Sequence, residues 1–306
     1  MPKSPNALPG SVRNLLAFAR RQSAARTALN IADVCAQVVA LRAYEWKLAG
    51  IELQTILPPD LPPVIGDGGQ LQQVLLNLVV NAERALRDRP ARRLTIAAIC
   101  DRSAGAVDLS VTDSGHGIDT ATLSRIFDPF FTTREVGEGT GLGLSICYGI
   151  VRDHGGQIGA ESRPQVGTTF HVTLPARSDD PSVPDTEILV AHPEQAEREF
   201  IGAALAGWGY RTVVAATLRE AIEGYRRSTL NLAVVDRRLV TDDPGAWETA
   251  RVDDGRRRVR VVLTSATPDD PSALRLGGDE AVAVLVPPIQ LRTLYAAVRT
   301  SERECV

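Results

Sequence analysis

No apolar run in this sequence approaches the roughly 18 residues that a membrane-spanning helix needs, so no span is expected. A cleavable leader is not expected either, because the first apolar piece, 15–19, is short and runs straight into Arg20 and Arg21. Cysteine is scarce. Cys35, Cys100, Cys147 and Cys305 stand singly, with no Cys or His partner at zinc spacing. That excludes a disulfide scaffold and a zinc module, and fits reduced thiols in a cytoplasmic protein. An excess of either charge is also missing: 34 Lys and Arg against 37 Asp and Glu leave a formal charge of -3. A basic surface for nucleic acid or an anionic membrane is therefore not expected. Internal repeats and low-complexity tracts are absent as well.

What is present suits a soluble chain with real cores. The 306 residues are 44% hydrophobic and 23% charged, and that length favours two domains. Residues 1–10 are polar and Pro-rich, and 11–25 read as a short helix with Leu15, Leu16 and Phe18 on one stripe. Asn30 is placed to cap a helix running to about Leu48. Residues 51–57 alternate like a strand before PPDLPP breaks it. The strongest helical signal is 67–88, where Leu71, Val74, Leu75, Leu78 and Val79 recur at helical spacing. Strands near 93–100 and 106–113, a glycine-rich stretch, a helix near 141–154 and strands 157–162 and 168–174 follow. This order implies an α+β two-layer sandwich with largely antiparallel strands over 26–177.

Residues 178–185 read as a polar, Pro- and Asp-rich linker. Beyond it, over 186–303, strands at 186–191, 211–215, 231–236, 259–265 and 281–286 alternate with helical segments. Alternating units of this length imply an α/β doubly wound parallel sheet.

Three stretches in the first domain carry chemistry. Asn77 and Asn81 are four apart and share one helix face, where an amide oxygen suits magnesium that already carries phosphate oxygens. In VDLSVTDSGHGID a strand delivers Asp113 to a turn made by Gly115 and Gly117, and a carboxylate there can accept a hydrogen bond from an exocyclic amine. In FDPFFTTREVGEGTGLGLSI, Gly137, Gly139, Gly141 and Gly143 alternate into a helix, with Thr132, Thr133 and Arg134 ahead of them. Backbone N–H groups at a helix N-terminus attract phosphates, and Arg134 can pair with one.

In this order the stretches resemble the histidine-kinase catalytic domain, in the wider ATPase family shared with gyrase, Hsp90 and MutL. NLVVNAERAL matches the asparagine box, DSGHGI the first glycine box, IFDPFFTT the phenylalanine box and GTGLGLS the second glycine box. The resemblance implies ATP and Mg as ligands, with Asn81 on the metal and Asp113 on adenine. Asn77, Gly115, Gly117, Thr132, Thr133, Arg134, Gly139, Thr140, Gly141, Leu142 and Gly143 complete the implied nucleotide site. Hydrolysing members of that family place a Glu where Asn77 stands. An amide is no useful base, so transfer to a protein nucleophile is expected rather than hydrolysis.

Histidine kinases carry their acceptor histidine on a helical hairpin ahead of this domain. LLAFARRQ, within 1–25, resembles the end of that hairpin, and His116, His154, His171 and His192 all lie past the asparagine helix. The expectation is a chain without its own acceptor: a truncated product, or a kinase core acting on a partner's hairpin in a two-component phosphorelay. A non-catalytic, ATP-responsive module docking on two-component partners is the alternative.

Residues 186–303 resemble a response-regulator receiver domain. The resemblance implies Asp236 as phosphosite and Ser265 as switch hydroxyl, with Thr264 the other choice. His192 and Pro193 stand where that family has two acids, and Pro287 where it has lysine. With those charges missing, Asp236 is expected to be a poor magnesium-dependent phosphoacceptor, and the domain a pseudo-receiver.

Overall fold

The computed structural model describes residues 26–133, 140–177, 187–227, 230–241, 243, 245–246, 259–265, 275–276, 279–280 and 283–303. The expected helix at 11–25, the linker at 178–185, and Arg134 and Gly139 lie outside them.

The first unit opens with a short strand, β1 (Thr27–Leu29), and helix α1 (Ile31–Leu48). Asn30 caps α1, its side chain accepting the Ala32 N–H at 2.8 Å. Strands β2 (Glu52–Ile56) and β3 (Val64–Gly66) lead to helix α2 (Gly68–Ala85). The start of α2 is set by Asp67, which accepts the N–H groups of Gly69 and Gln70. Its buried stripe is Leu71, Val74, Leu75, Leu78, Val79 and Ala82. Strands β4 (Arg93–Asp101) and β5 (Ala106–Asp113), the short helix α3 (Thr120–Leu123), helix α4 (Gly143–Asp153) and strands β6 (Gln157–Arg163) and β7 (Gly167–Pro175) follow. The sheet order is β2-β4-β5-β7-β6, with only β2 and β4 parallel. Alternation sends Leu94, Ile96, Ala98, Leu109, Val111, Phe170 and Val172 into one core with α1, α2 and α4. β1 and β3, not foreseen in the sequence, pair with each other.

The second unit contains β8 (Glu187–Ala191), α5 (Gln195–Trp208), β9 (Arg211–Ala215), α6 (Leu218–Arg227), β10 (Leu230–Asp236) and α7 (Arg237–Thr241). It continues with β11 (Arg260–Thr264), the two-residue strands β12 (Arg275–Leu276) and β13 (Asp279–Glu280), β14 (Ala283–Leu285) and α8 (Leu291–Arg303). The five-stranded sheet β14-β11-β10-β8-β9 is parallel throughout. Ile188, Val190, Val234 and Val262 pack under α5 and α8, while Leu189, Ala233, Val235 and Leu263 pack under α6 and α7. Helices thus cover both faces, as a parallel sheet requires. No helix among the described residues is long and apolar enough to cross a membrane.

His154 ties α2 to α4. It is 2% exposed; its Nδ1 bonds to the Ile150 carbonyl at 2.7 Å and its Nε2 accepts the Asp67 N–H at 3.0 Å. Burial pushes its pKa below the usual histidine value. A depressed histidine pKa means the unfolded chain binds more protons, so stability rises with pH across that window. The contribution is complete above about 6.5 and declines as pH falls toward the folded-state value. Melting temperatures between about pH 5 and 7.5 are expected to fall toward the acid end, and His154→Gln is expected to flatten that slope. An unchanged slope would remove His154 as its source.

Candidate nucleotide site and a self-paired aspartate

Strand β5 carries Asp113 into the interior, where it is 4% exposed. Its Oδ1 accepts the Gly115 N–H at 2.8 Å. Burial raises its pKa, opposed by the Gly115 and Thr168 backbone hydrogen bonds. Gly117 follows at φ 71, and a Cβ there would meet the Arg163 carbonyl oxygen at 2.1 Å, so only glycine fits this turn. The result is a carboxyl group in a poorly solvated position beside a bare backbone.

Across from it, α2 presents Asn77. Its Nδ2 donates to the Gly143 carbonyl at 3.3 Å and contacts Cys147 Sγ at 3.5 Å. Cys147 is buried, and its thiol is pushed up to about 11 by that burial. Asn77 therefore braces the first turn of α4 onto α2, a role its sequence position did not disclose. Asn81 lies one turn further along the same face and is half-buried.

The glycine loop is pinched at its base. Phe130 donates its N–H to the Gly141 carbonyl at 3.1 Å, and the two residues sit at φ 65 and 64. A Cβ on Gly141 would stand 2.5 Å from the Phe130 carbonyl carbon. Thr132 and Thr133 are exposed on the near side of the pinch and Thr140 on the far side. Helix α4 begins immediately after Leu142 with no side chain capping its first turn. Uncapped N–H groups and the positive end of the helix dipole are what a triphosphate needs.

The sequence profile of the family "histidine kinase-, DNA gyrase B-, and HSP90-like ATPase" matches residues 66–178. This stretch is a histidine-kinase-type ATP-binding domain. Over 94% of its length the chain is 34% identical to sensor kinase CckA of Brucella abortus (strain 2308). Over 48% it is 36% identical to the adaptive-response sensory kinase SasA of Synechocystis sp. (strain ATCC 27184 / PCC 6803 / Kazusa). The chain spans about a third of those relatives, 34% of the first and 38% of the second. Among solved structures, the catalytic domain of histidine kinase ThkA is 33% identical, at a TM-score of 0.44, over 49% of this chain and 97% of that one.

The ATP-binding domain is joined to a second cluster, at the C-terminal edge of the parallel sheet. Asp236, 3% exposed, accepts from Arg238 at both oxygens, Nε to Oδ1 at 2.9 Å and Nη2 to Oδ2 at 3.2 Å. Thr264 Oγ1 donates to Oδ2 at 2.9 Å. This is the alternative hydroxyl, in direct register with Asp236, whereas Ser265 sits one residue beyond the register pair. His192 Nδ1 accepts the Glu194 N–H at 3.1 Å, which leaves the ring proton on Nε2, 3.0 Å from Asp236 Oδ2. The angle is poor for a hydrogen bond, so the contact is chiefly electrostatic. Burial pushes the Asp236 pKa up, but His192, Arg238 and Thr264 outweigh it and hold the carboxyl well below the usual range. Arg238 also pairs with Glu194 at 2.9 Å. Arg238 follows Asp236 by two residues in LAVVDRR, whereas His192 is brought to it only by the fold.

Proposed function

We propose that this chain is the ATP-dependent core of a protein-histidine kinase in a two-component phosphorelay. The observation that carries the reading is the buried Asp113 beside the glycine-117 turn, in a domain whose helix α4 starts uncapped. A carboxylate kept desolvated is costly to the fold and is explained by a ligand amine that it accepts from. Adenine supplies such an amine. Thr132, Thr133, Thr140, Gly141, Leu142 and Gly143 would then line the phosphates; Arg134 and Gly139, assigned to the same role from the sequence, lie outside the described residues.

Magnesium fits the donors present. Among the described residues there is no group of three His, Cys, Asp or Glu side chains able to hold a metal alone. A single neutral amide, Asn81, suits an ion held mostly by phosphate oxygens and water. Bound there, it would neutralise charge on the phosphates. Asn77 provides no base for water, which favours transfer over hydrolysis.

The acceptor is a histidine other than the four in this chain. His154 is 2% exposed with both ring nitrogens hydrogen-bonded, and His192 is 1% exposed with its Nδ1 accepting the Glu194 N–H. His116 bonds to the Gly117 carbonyl in the adenine turn, and His171 sits in β7 beside Asp108. The parallel-sheet unit is read as a pseudo-receiver, because the Arg238 guanidinium already pairs with Asp236 and His192 stands against that carboxylate where a magnesium site would need an acid.

The test is transfer from γ-labelled ATP to a separate kinase hairpin carrying its histidine. Acid-labile, base-stable label on the hairpin is expected, and Asn81→Ala is expected to lower it roughly a hundredfold or more. ATP binding without label on any hairpin tried would favour the non-catalytic, ATP-responsive module.

A further inference from the structure

The parallel-sheet unit is packed onto the ATP-binding domain rather than tethered to it. Ala104 and Ala106, at the β4–β5 turn, belong to the same buried cluster as Phe200, Leu205, Trp208, Leu291 and Leu294 of α5 and α8. Trp208 Nε1 donates to the Gly105 carbonyl at 2.8 Å, and the Trp208 and Tyr295 rings meet as a tilted pair with centroids 5.0 Å apart. Gln157 bonds in both directions, to the Ile289 carbonyl and from the Leu291 N–H, each at 3.3 Å. Arg292 pairs with Asp101 at 2.6 Å.

One part of this interface lies on helix α4. Arg152, in the last turn of α4, places its guanidinium 3.8 Å over the Phe200 ring and 3.5 Å from Glu197, both on α5. The Arg152 and Glu197 side chains are only 20% and 18% exposed, so the contact is partly shielded from water. Gly155, just past the helix end, lets the α5 backbone come so close that a Cβ would stand 2.3 Å from the Ala204 nitrogen. The other end of α4 is the uncapped first turn, braced by Asn77. Eleven residues make a rod of about 16 Å, short and stiff. Fixing its C-terminal end in α5 limits where its N-terminal N–H groups can stand.

We infer that the parallel-sheet unit is a built-in positioning partner of the nucleotide site, acting through Arg152 on α4. This rests on the nucleotide reading above. Docking of α5 holds α4 at the depth at which its first turn meets phosphate, and nucleotide in turn stabilises the docked arrangement. Linkage makes the two effects equal and reciprocal. Arg152 touches no substrate and is a positioning residue.

The experiment uses the full chain and a non-hydrolysable ATP analogue with magnesium. Gly207→Val wedges the interface, since a Cβ there would meet the Pro175 Cβ at 2.7 Å. Arg152→Ala removes the link to α4 without a wedge, and Arg152→Lys keeps its charge. Calorimetry is expected to show Kd raised roughly five- to tenfold in the Val and Ala variants, with partial recovery in the Lys variant. Hydrogen exchange over 195–208 is expected to slow on nucleotide binding in the unsubstituted chain and to respond less in the Ala variant. Unchanged Kd in both variants, beside a binding parent, overturns the coupling alone. Failure of the unsubstituted chain to bind the analogue overturns the nucleotide reading and the inference with it.

Discussion

Asp113→Asn is expected to stabilise the nucleotide-free protein while removing most of its affinity for ATP. The raised pKa of Asp113 gives the sign. A carboxyl with a folded-state pKa above its unfolded value favours folding below about 3.8 and loses that contribution as pH rises through the folded value. At pH 7 its charge is therefore a cost, and an amide of nearly equal volume relieves about 1 kcal/mol of it. The amide keeps an oxygen for the Gly115 N–H and turns its NH2 toward the ligand amine, donor against donor. Losing a hydrogen bond to a charged group and leaving a repulsive pair costs about 1.5–3 kcal/mol, roughly ten- to a hundredfold in Kd. Thermal melting without nucleotide and calorimetry with it, both at pH 7, check the two halves. A variant that melts lower and binds ATP normally would show that Asp113 serves the fold and not the ligand.

Asp236→Ala is expected to destabilise the parallel-sheet unit by about 2–4 kcal/mol, because it strands groups whose partner is buried. His192 is 1% exposed and Thr264 is fully buried, and both face that carboxylate. Arg238, 59% exposed at its side chain, can turn to water and adds little. Magnesium, with or without an aspartyl-phosphate mimic, is expected to leave the melting temperature of the unsubstituted chain unchanged, since Arg238 already pairs with Asp236 and His192 occupies a place where a metal site needs an acid. In a magnesium-dependent phosphosite the response is opposite in both respects: the ion raises the melting point, and removing the aspartate relieves crowded negative charge. Melts of both proteins with and without magnesium separate the two cases, and a clear shift with the mimic would return Asp236 to the acceptor role.

Local chemistry explains why much of the first domain was legible. Asn30 caps the helix it was placed to cap, and Asp67, read as the first residue of the next helix, caps it instead, because a cap needs only a side chain and the next two or three N–H groups. The stripe at Leu71, Val74, Leu75, Leu78 and Val79 faces inward because helical period and burial agree. Strands read as 186–191, 211–215 and 231–236 stand within a residue of β8, β9 and β10, their hydrophobic runs being those of strands covered on both faces. β1 and β3 escaped, since three residues carry too little pattern and their pairing closes over a long separation.

By itself, the sequence determined the order of the longer elements, the ATP-binding domain, and the placing of Asp113 at a strand end, Asn81 on a helix face and Gly115 and Gly117 in a turn. Those are set by spacing along a strand, a helix or a turn. Only the tertiary structure decided that Asn77 braces Gly143, that Thr264 rather than Ser265 reaches Asp236 in register, and that His192 and Arg238 converge there. It alone put Arg152 against α5. Arg238 apart, which is only two residues from Asp236, each of these joins residues far apart in the sequence. Such meetings follow from how sheets and helices stack, and the local patterns of spacing and period do not encode them.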